Sequence, residues 1–181
     1  MKIYLAAPFF NPVQVALVEK IEDLLATVYP GVEVFSPRKG KNALEMNGKY
    51  LSKGLVPPEP LKTAVFRDNY VNIEDASMVL AVIDDRDVGV LFELGFAYAK
   101  DVPILTYTDQ SYGMNLMLAM SITAHTKGHA QLQEALQLFV RYFSQLGRAD
   151  VDEADHTMAQ ILTRFKNPRQ LREGWEKENE R

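Results

Sequence analysis

The chain has 181 residues, 47% of them hydrophobic, and a formal net charge of −4. Such a length and composition suit a globular protein with a substantial core, while the acidic balance and the lack of any face dense in Lys or Arg argue against a nucleic-acid binder. Cysteine is absent, which rules out disulfides and thiolate metal sites, and the three scattered histidines, His125, His129 and His156, form no metal-ligand pattern and are expected at the surface.

In chain order, residues 2–7 read as a first strand. Pro12 followed by Val13, Leu17, Ile21, Leu24 and Leu25 at helical spacing predicts an amphipathic helix that closes at Tyr29-Pro30-Gly31. Residues 32–35 are a short second strand. Residues 36–60 mix glycines, prolines and charges without clear period and read as a long loop, of the kind that covers a site. Residues 61–75 look helical, with Val65, Tyr70 or Asn69, and Ile73 spaced to share faces. The apolar run 77–83 predicts a strand buried on both faces, residues 90–100 a helix, residues 102–107 a fourth strand, and residues 109–113 a turn before Met114-Asn115-Leu116-Met117. Beyond Ser121 the pattern turns to helical segments near 130–146, 153–165 and 168–178.

This alternation implies an α/β fold in which a parallel sheet is flanked by helices, with an α/β domain over residues 1–122 and a helical C-terminal extension over 123–181, packed on the same domain or at an oligomer interface. In such sheets ligands bind beyond the carboxyl ends of the strands. Three strand exits therefore converge on one rim: Ala7-Pro8-Phe9-Phe10, Ser36-Pro37-Arg38 and Asp84-Asp85-Arg86-Asp87-Val88-Gly89. No run reaches membrane-spanning length and the apolar start at residues 3–10 is too short for a signal peptide, so a cytoplasmic protein is expected.

Carboxylates crowd the third exit, and Glu93 falls in what reads as a first helical turn, where the dipole favours the anion and an apolar surround raises the pKa, a balance that suits a nucleophile. Asp84, Asp85 and Asp87 are equally suited to turn and cap roles. Tyr4 reads either as a core aromatic or as a hydroxyl that orients Glu93. Phe9 and Phe10 either cover the core or stack on a flat heterocycle. Arg38 is a candidate for an anion or a substrate hydroxyl. Asn115 and Met117 read as a helix cap and a core methionine. Neither a dinucleotide fingerprint nor a phosphate-binding P-loop is present, so Gly89 and Gly95 belong to no nucleotide motif.

Taken together, residues 2–11, Phe35-Ser36-Pro37-Arg38, Phe66-Arg67-Asp68-Asn69, Asp87-Val88-Gly89 leading to Phe92-Glu93-Leu94-Gly95, and Asn115-Leu116-Met117 resemble the nucleoside 2-deoxyribosyltransferase family in order and spacing over residues 2–120. The resemblance implies a flavodoxin-like subunit that exchanges the base of a 2′-deoxynucleoside through a covalent deoxyribosyl ester, without metal or organic cofactor. It makes Glu93 the nucleophile, Tyr4 its positioning hydroxyl, and Asp87 and Asp68 the acidic residues that hold the base and help deliver its proton. Phe10 and Gly89 fall in the pocket. Asn115 and Met117 would reach a neighbouring subunit's site, so a homo-oligomer is implied, with nucleosides and free nucleobases as partners. Val90 departs from the small hydroxyl residue that many members carry after the glycine. Two rival readings are an N-glycosidase acting on nucleosides or their 5′-monophosphates, and a non-catalytic nucleoside-sensing module.

Overall fold

The computed structural model describes residues 1–110, 114–148 and 150–165. Five strands, β1 (Lys2–Ala6), β2 (Glu33–Phe35), β3 (Met78–Val82), β4 (Ile104–Thr108) and β5 (Ala124–Lys127), form one sheet in the order β2-β1-β3-β4-β5, every pair parallel. Helices α1 (Pro12–Val28), α2 (Lys41–Lys49), α3 (Glu59–Glu74), α4 (Val88–Ala99), α5 (Leu116–Ser121), α6 (Gly128–Leu146) and α7 (Val151–Phe165) complete it. The strand order reverses between β1 and β3. There the chain leaves neighbouring strands in opposite directions and opens a crevice at their carboxyl ends.

Side-chain alternation along each strand divides the core in two. Ile3, Leu5, Leu80, Val82 and Leu105 face α1, α6 and α7, whereas Tyr4, Ala6, Val79, Ala81 and Ile104 face α3, α4 and α5. The central strand β3 is buried along its whole length, as its unbroken apolar run predicts, and each of its Met, Val and Leu side chains contributes about 1.5–3 kcal/mol on burial. Asn11 caps α1 by accepting from the Gln14 amide at 3.0 Å, with Pro12 in the first turn.

Three expectations need correction. Residues 36–60 are not a plain loop: they hold α2 between two short 3-10 turns, Pro37–Lys39 and Leu51–Lys53. Ala43, Met46 and Asn47 share one face of α2 at helical spacing, while Glu45 and Lys49 pair at 2.9 Å on another, a pattern too short to stand out around Gly48. Nor is the chain beyond Ser121 helical alone. Ala124–Lys127 is the edge strand of the same sheet, and α6 and α7 bury Leu132, Leu136, Phe139, Ile161 and Phe165 in its core. His125, expected at the surface, lies in β5 with its Nδ1 2.9 Å from the Thr106 hydroxyl, and burial lowers its pKa to about 4. The expected helix near 168–178 and residues 111–113 of the expected turn lie outside the described residues. No helix among the described residues is long and apolar enough to cross a membrane.

Candidate active site

A 3-10 turn, Asp84–Arg86, leads from β3 into α4. Arg86 adopts a left-handed conformation (φ 51°), after which Asp87 caps the helix by accepting from the Val90 amide through Oδ1 at 2.9 Å. Because α4 begins at Val88, Glu93 sits in its second turn and not, as expected, in its first, where the helix dipole acts most strongly. Burial dominates its electrostatics instead.

The Glu93 carboxyl group meets two donors at one oxygen. Tyr4, wholly buried in β1, donates its hydroxyl to Oε1 at 2.6 Å, and Asn69 of α3 donates Nδ2 to the same oxygen at 3.3 Å. Burial and the nearby negative charge of Asp87 push the Glu93 pKa up, and the Tyr4 and Asn69 hydrogen bonds pull it back, leaving it at about 7. The phenol of Tyr4 is held protonated, far above its usual range, by burial and by the carboxylate beside it. Glu93 is therefore poised between acid and anion near neutrality, with a permanent donor on one oxygen.

Above Glu93 opens a cavity of about 500 Å³. Its apolar walls are Ala7, Phe9, Phe10, Pro37, Ala43, Met46, Leu51, Val65 and Val90, and its polar groups are Asn47, Ser52, Asn69, Asp87 and Glu93. Phe9 and Phe10 stack with ring centroids 5.6 Å apart, and Phe10 is largely exposed at 75%. Gly89 also lines the space, and a Cβ there would come within 3.0 Å of Asp87 Oδ1. No Lys, Arg or His stands among these lining residues.

Not every candidate from the sequence reaches this cavity. Asp68 does not line it; its Oδ2 accepts from Asn42 at 2.9 Å and ties α3 to α2. The neighbouring Asn69 takes the inward position, which the spacing Val65, Asn69, Ile73 on one helical stripe could have signalled. Arg38 is also turned elsewhere: its guanidinium grips Glu22 with two donors and reaches Glu19 at 3.4 Å. Asp84 is buried and accepts from the Thr108 hydroxyl and the Asp109 amide, joining the ends of β3 and β4. The Asp85 side chain lies outside the described structure. Asn115 and Met117 line a second, mostly apolar cavity of about 370 Å³ with Ile83, Leu91, Leu94 and Tyr98, away from Glu93.

A sequence model of the nucleoside 2-deoxyribosyltransferase family matches residues 3–136. The chain belongs to this family. Its match runs past residue 120, through β5 and into α6, beyond the stretch over which the sequence motifs resemble the family. A solved 2-deoxyribosyltransferase from the psychrotolerant bacterium Bacillus psychrosaccharolyticus is 30% identical to this family member, with a TM-score of 0.61 over 74% of this chain and 90% of that one. A conserved protein from Enterococcus faecalis V583 shares the fold at 17% identity and a TM-score of 0.59, over 74% and 95% of the two chains. A CMP N-glycosidase from Clostridium botulinum aligns at 13% identity and a TM-score of 0.48, over 76% and 99%. No curated protein matches the chain. In this deoxyribosyltransferase family member Tyr4, Asn69, Asp87 and Glu93 meet at the β1/β3 switch point, the place where doubly wound sheets take ligands.

Proposed function

We propose that the protein exchanges the base of 2′-deoxynucleosides by double displacement at Glu93. The observation that carries this reading is the Glu93 carboxyl group, held by Tyr4 at the floor of a cavity walled by aromatic and aliphatic side chains. In the first step an oxygen of Glu93 forms a bond to C1′ while the C1′–N bond breaks, its electron pair leaving with the base, which takes up a proton. The transition state is cationic at C1′, and an adjacent carboxylate stabilises it through space. The incoming base then reverses the step on the same face, giving net retention.

In this scheme Asp87 relays the proton: it takes one up before the step, passes it to the departing base, and recovers one from the incoming base. Its Oδ1 is engaged by the Val90 amide, which leaves Oδ2 for the base. Phe9 and Phe10 cover the base, and Gly89 admits it beside Asp87. A free nucleoside suits the site better than a 5′-phosphate, because no cation stands among the described residues that line the cavity and Arg38 and Lys39 are paired with Glu22.

A second copy of the chain completes the proposal. Phe92 on α4 and Leu116, Met117 and Met120 on α5 stand 56–77% exposed, and Met117 and Met120 line the second cavity, so α4 and α5 present large apolar side chains that a partner could cover. Burying them against a partner would carry Asn115 and Met117 toward that partner's site.

The test is to incubate the protein with deoxyinosine or thymidine, with and without adenine, and follow released base and new deoxyadenosine by chromatography. Deoxyadenosine formation is expected. Base release independent of adenine would replace the proposal with hydrolysis, and binding without turnover would replace it with a sensing module.

A further inference from the structure

We infer that Asn69 is a positioning residue for the nucleophile: together with Tyr4 it occupies Oε1 of Glu93 and so assigns the attack on C1′ to Oε2. The inference rests on the proposed glycosyl transfer. Both donors converge on Oε1, at 2.6 and 3.3 Å, and no hydrogen bond among the described residues reaches Oε2. No side-chain oxygen or nitrogen among these residues is both buried and without a partner, so Oε2 is open to the cavity. The two oxygens of one carboxylate are thus made different, one anchored and one presented.

The anchoring is built from three elements. Tyr4 comes from the floor strand β1, Asn69 from α3 and Glu93 from α4, and the turn of α3 that aims Asn69 inward is itself fastened. Asn72 donates to the Asp68 carbonyl at 2.7 Å and Asn42 of α2 holds the Asp68 carboxylate. The charged or titratable groups that act on Glu93 are Tyr4 from β1 and Asp87 from the start of α4. An amide at position 69 adds a donor without adding a charge, which a second carboxylate in that place would do.

The chemistry gives the division a purpose. When Oε2 bonds to C1′, Oε1 becomes the carbonyl oxygen of a neutral ester. When the incoming base attacks, the C1′–Oε2 bond breaks and its electron pair returns to the carboxylate, whose charge spreads to Oε1. Donors waiting there stabilise the departing carboxylate, so Tyr4 and Asn69 assist the second displacement as well as orienting the first.

The experiment pairs a spectroscopic readout with a kinetic one, on Asn69→Asp, Asn69→Ala and Asn69→Gln. In protein labelled with carboxyl-13C glutamate, the Glu93 titration midpoint is expected to rise by about one pH unit in Asn69→Asp and by less in Asn69→Ala. The acid limb of kcat/KM should move with it, kcat should fall about tenfold or more in Asn69→Asp, and KM for the nucleoside should hardly change. Restoration of the midpoint and of part of kcat by Asn69→Gln is also expected. An unmoved Glu93 midpoint, or a loss confined to KM, would overturn the inference and make Asn69 a substrate contact. A wild-type protein that exchanges no base while its Glu93 midpoint still follows residue 69 would instead overturn the proposed function and leave Asn69 as a structural anchor of Glu93.

Discussion

Tyr4 Oη and Glu93 Oε1 lie 2.6 Å apart although 89 positions separate the two residues in sequence. A phenol buried in the sheet and an acid on the helix that follows β3 meet because β1 and β3 are adjacent and in register, Tyr4 beside Val79. Replacing Tyr4 by Phe keeps the volume and removes only the donor, a charged hydrogen bond worth about 1.5–3 kcal/mol. The Glu93 pKa should then rise above 7, and kcat/KM should fall about tenfold or more at neutral pH and by less, though not to nothing, at alkaline pH, where only the orienting and charge-stabilising roles of the hydroxyl are lost. A pH–rate profile of Tyr4→Phe checks this, and an unchanged acid limb would separate the hydroxyl from catalysis.

The raised pKa of Glu93 also costs stability. Between its unfolded value near 4.5 and its folded value of about 7 the native protein retains a proton that the unfolded chain has lost, so stability falls as pH rises through this window and stays low above it. The whole effect amounts to up to about 3 kcal/mol. Glu93→Gln keeps an oxygen for Tyr4 and Asn69 but carries no charge. It should abolish exchange and yet melt several degrees above the wild type at pH 8, with the difference gone at pH 4, as thermal denaturation at the two pH values will show.

At Gly89 stability and activity should part. An alanine Cβ meets Asp87 Oδ1 at 3.0 Å, so the carboxylate must shift and with it the group assigned to the base. Alanine favours a helix over glycine by roughly 0.5–1 kcal/mol, which offsets a weakened cap. Gly89→Ala is therefore expected to melt near the wild-type temperature and lose about tenfold or more in kcat. Equal losses of both would point to a folding defect.

Arg38 supports the cavity from behind. Glu22, only 7% exposed, is pushed up by burial, but hydrogen bonds from Arg38, Lys39 and Ser36 outweigh this and hold its carboxyl below the usual range. That stabilisation is present above the ordinary carboxylate pKa and is lost as the pH falls through the lower folded value. Arg38→Met leaves Lys39 alone on a nearly buried carboxylate and should cost about 2–4 kcal/mol at pH 7, less at pH 3. Because the adjacent Pro37 lines the cavity, KM should rise more than kcat falls. Denaturant titration and steady-state kinetics measure the two effects.

A shared site makes a prediction about mixtures. Glu93→Gln and Asn115→Gly should each be inactive alone, glycine keeping the α5 cap within a few tenths of a kcal/mol. Unfolded together and refolded at equal amounts, they should recover about a quarter of wild-type activity if subunits pair at random as dimers, since one site in each mixed dimer is intact. No recovery, with both variants folded, would confine the site to one subunit.

Several features of this protein were decided by local pattern. An unbroken apolar run as short as 78–82 reads as a doubly covered strand, and the alternation of such runs with helical spacing leads to a parallel sheet whose ligands lie at the strand ends. The place of Glu93 beyond β3 and of Phe9 and Phe10 beyond β1 follows from that alone. The choice between Asp68 and Asn69 does not, because adjacent helical residues differ by about 100° in direction and only the docking of α3, with Ile73 in the core and Asn42 on Asp68, sets the phase. Tertiary structure likewise decided that Arg38 serves Glu22, that residues 41–49 coil into α2 over the cavity, and that Ala124–Lys127 becomes a strand. Each of these depends on a partner distant in sequence: the carboxylate on α1, the α3 residue that holds Asn42, and the open edge of β4. Periodicity reports which residues share a face, whereas a contact exists only once two faces have met.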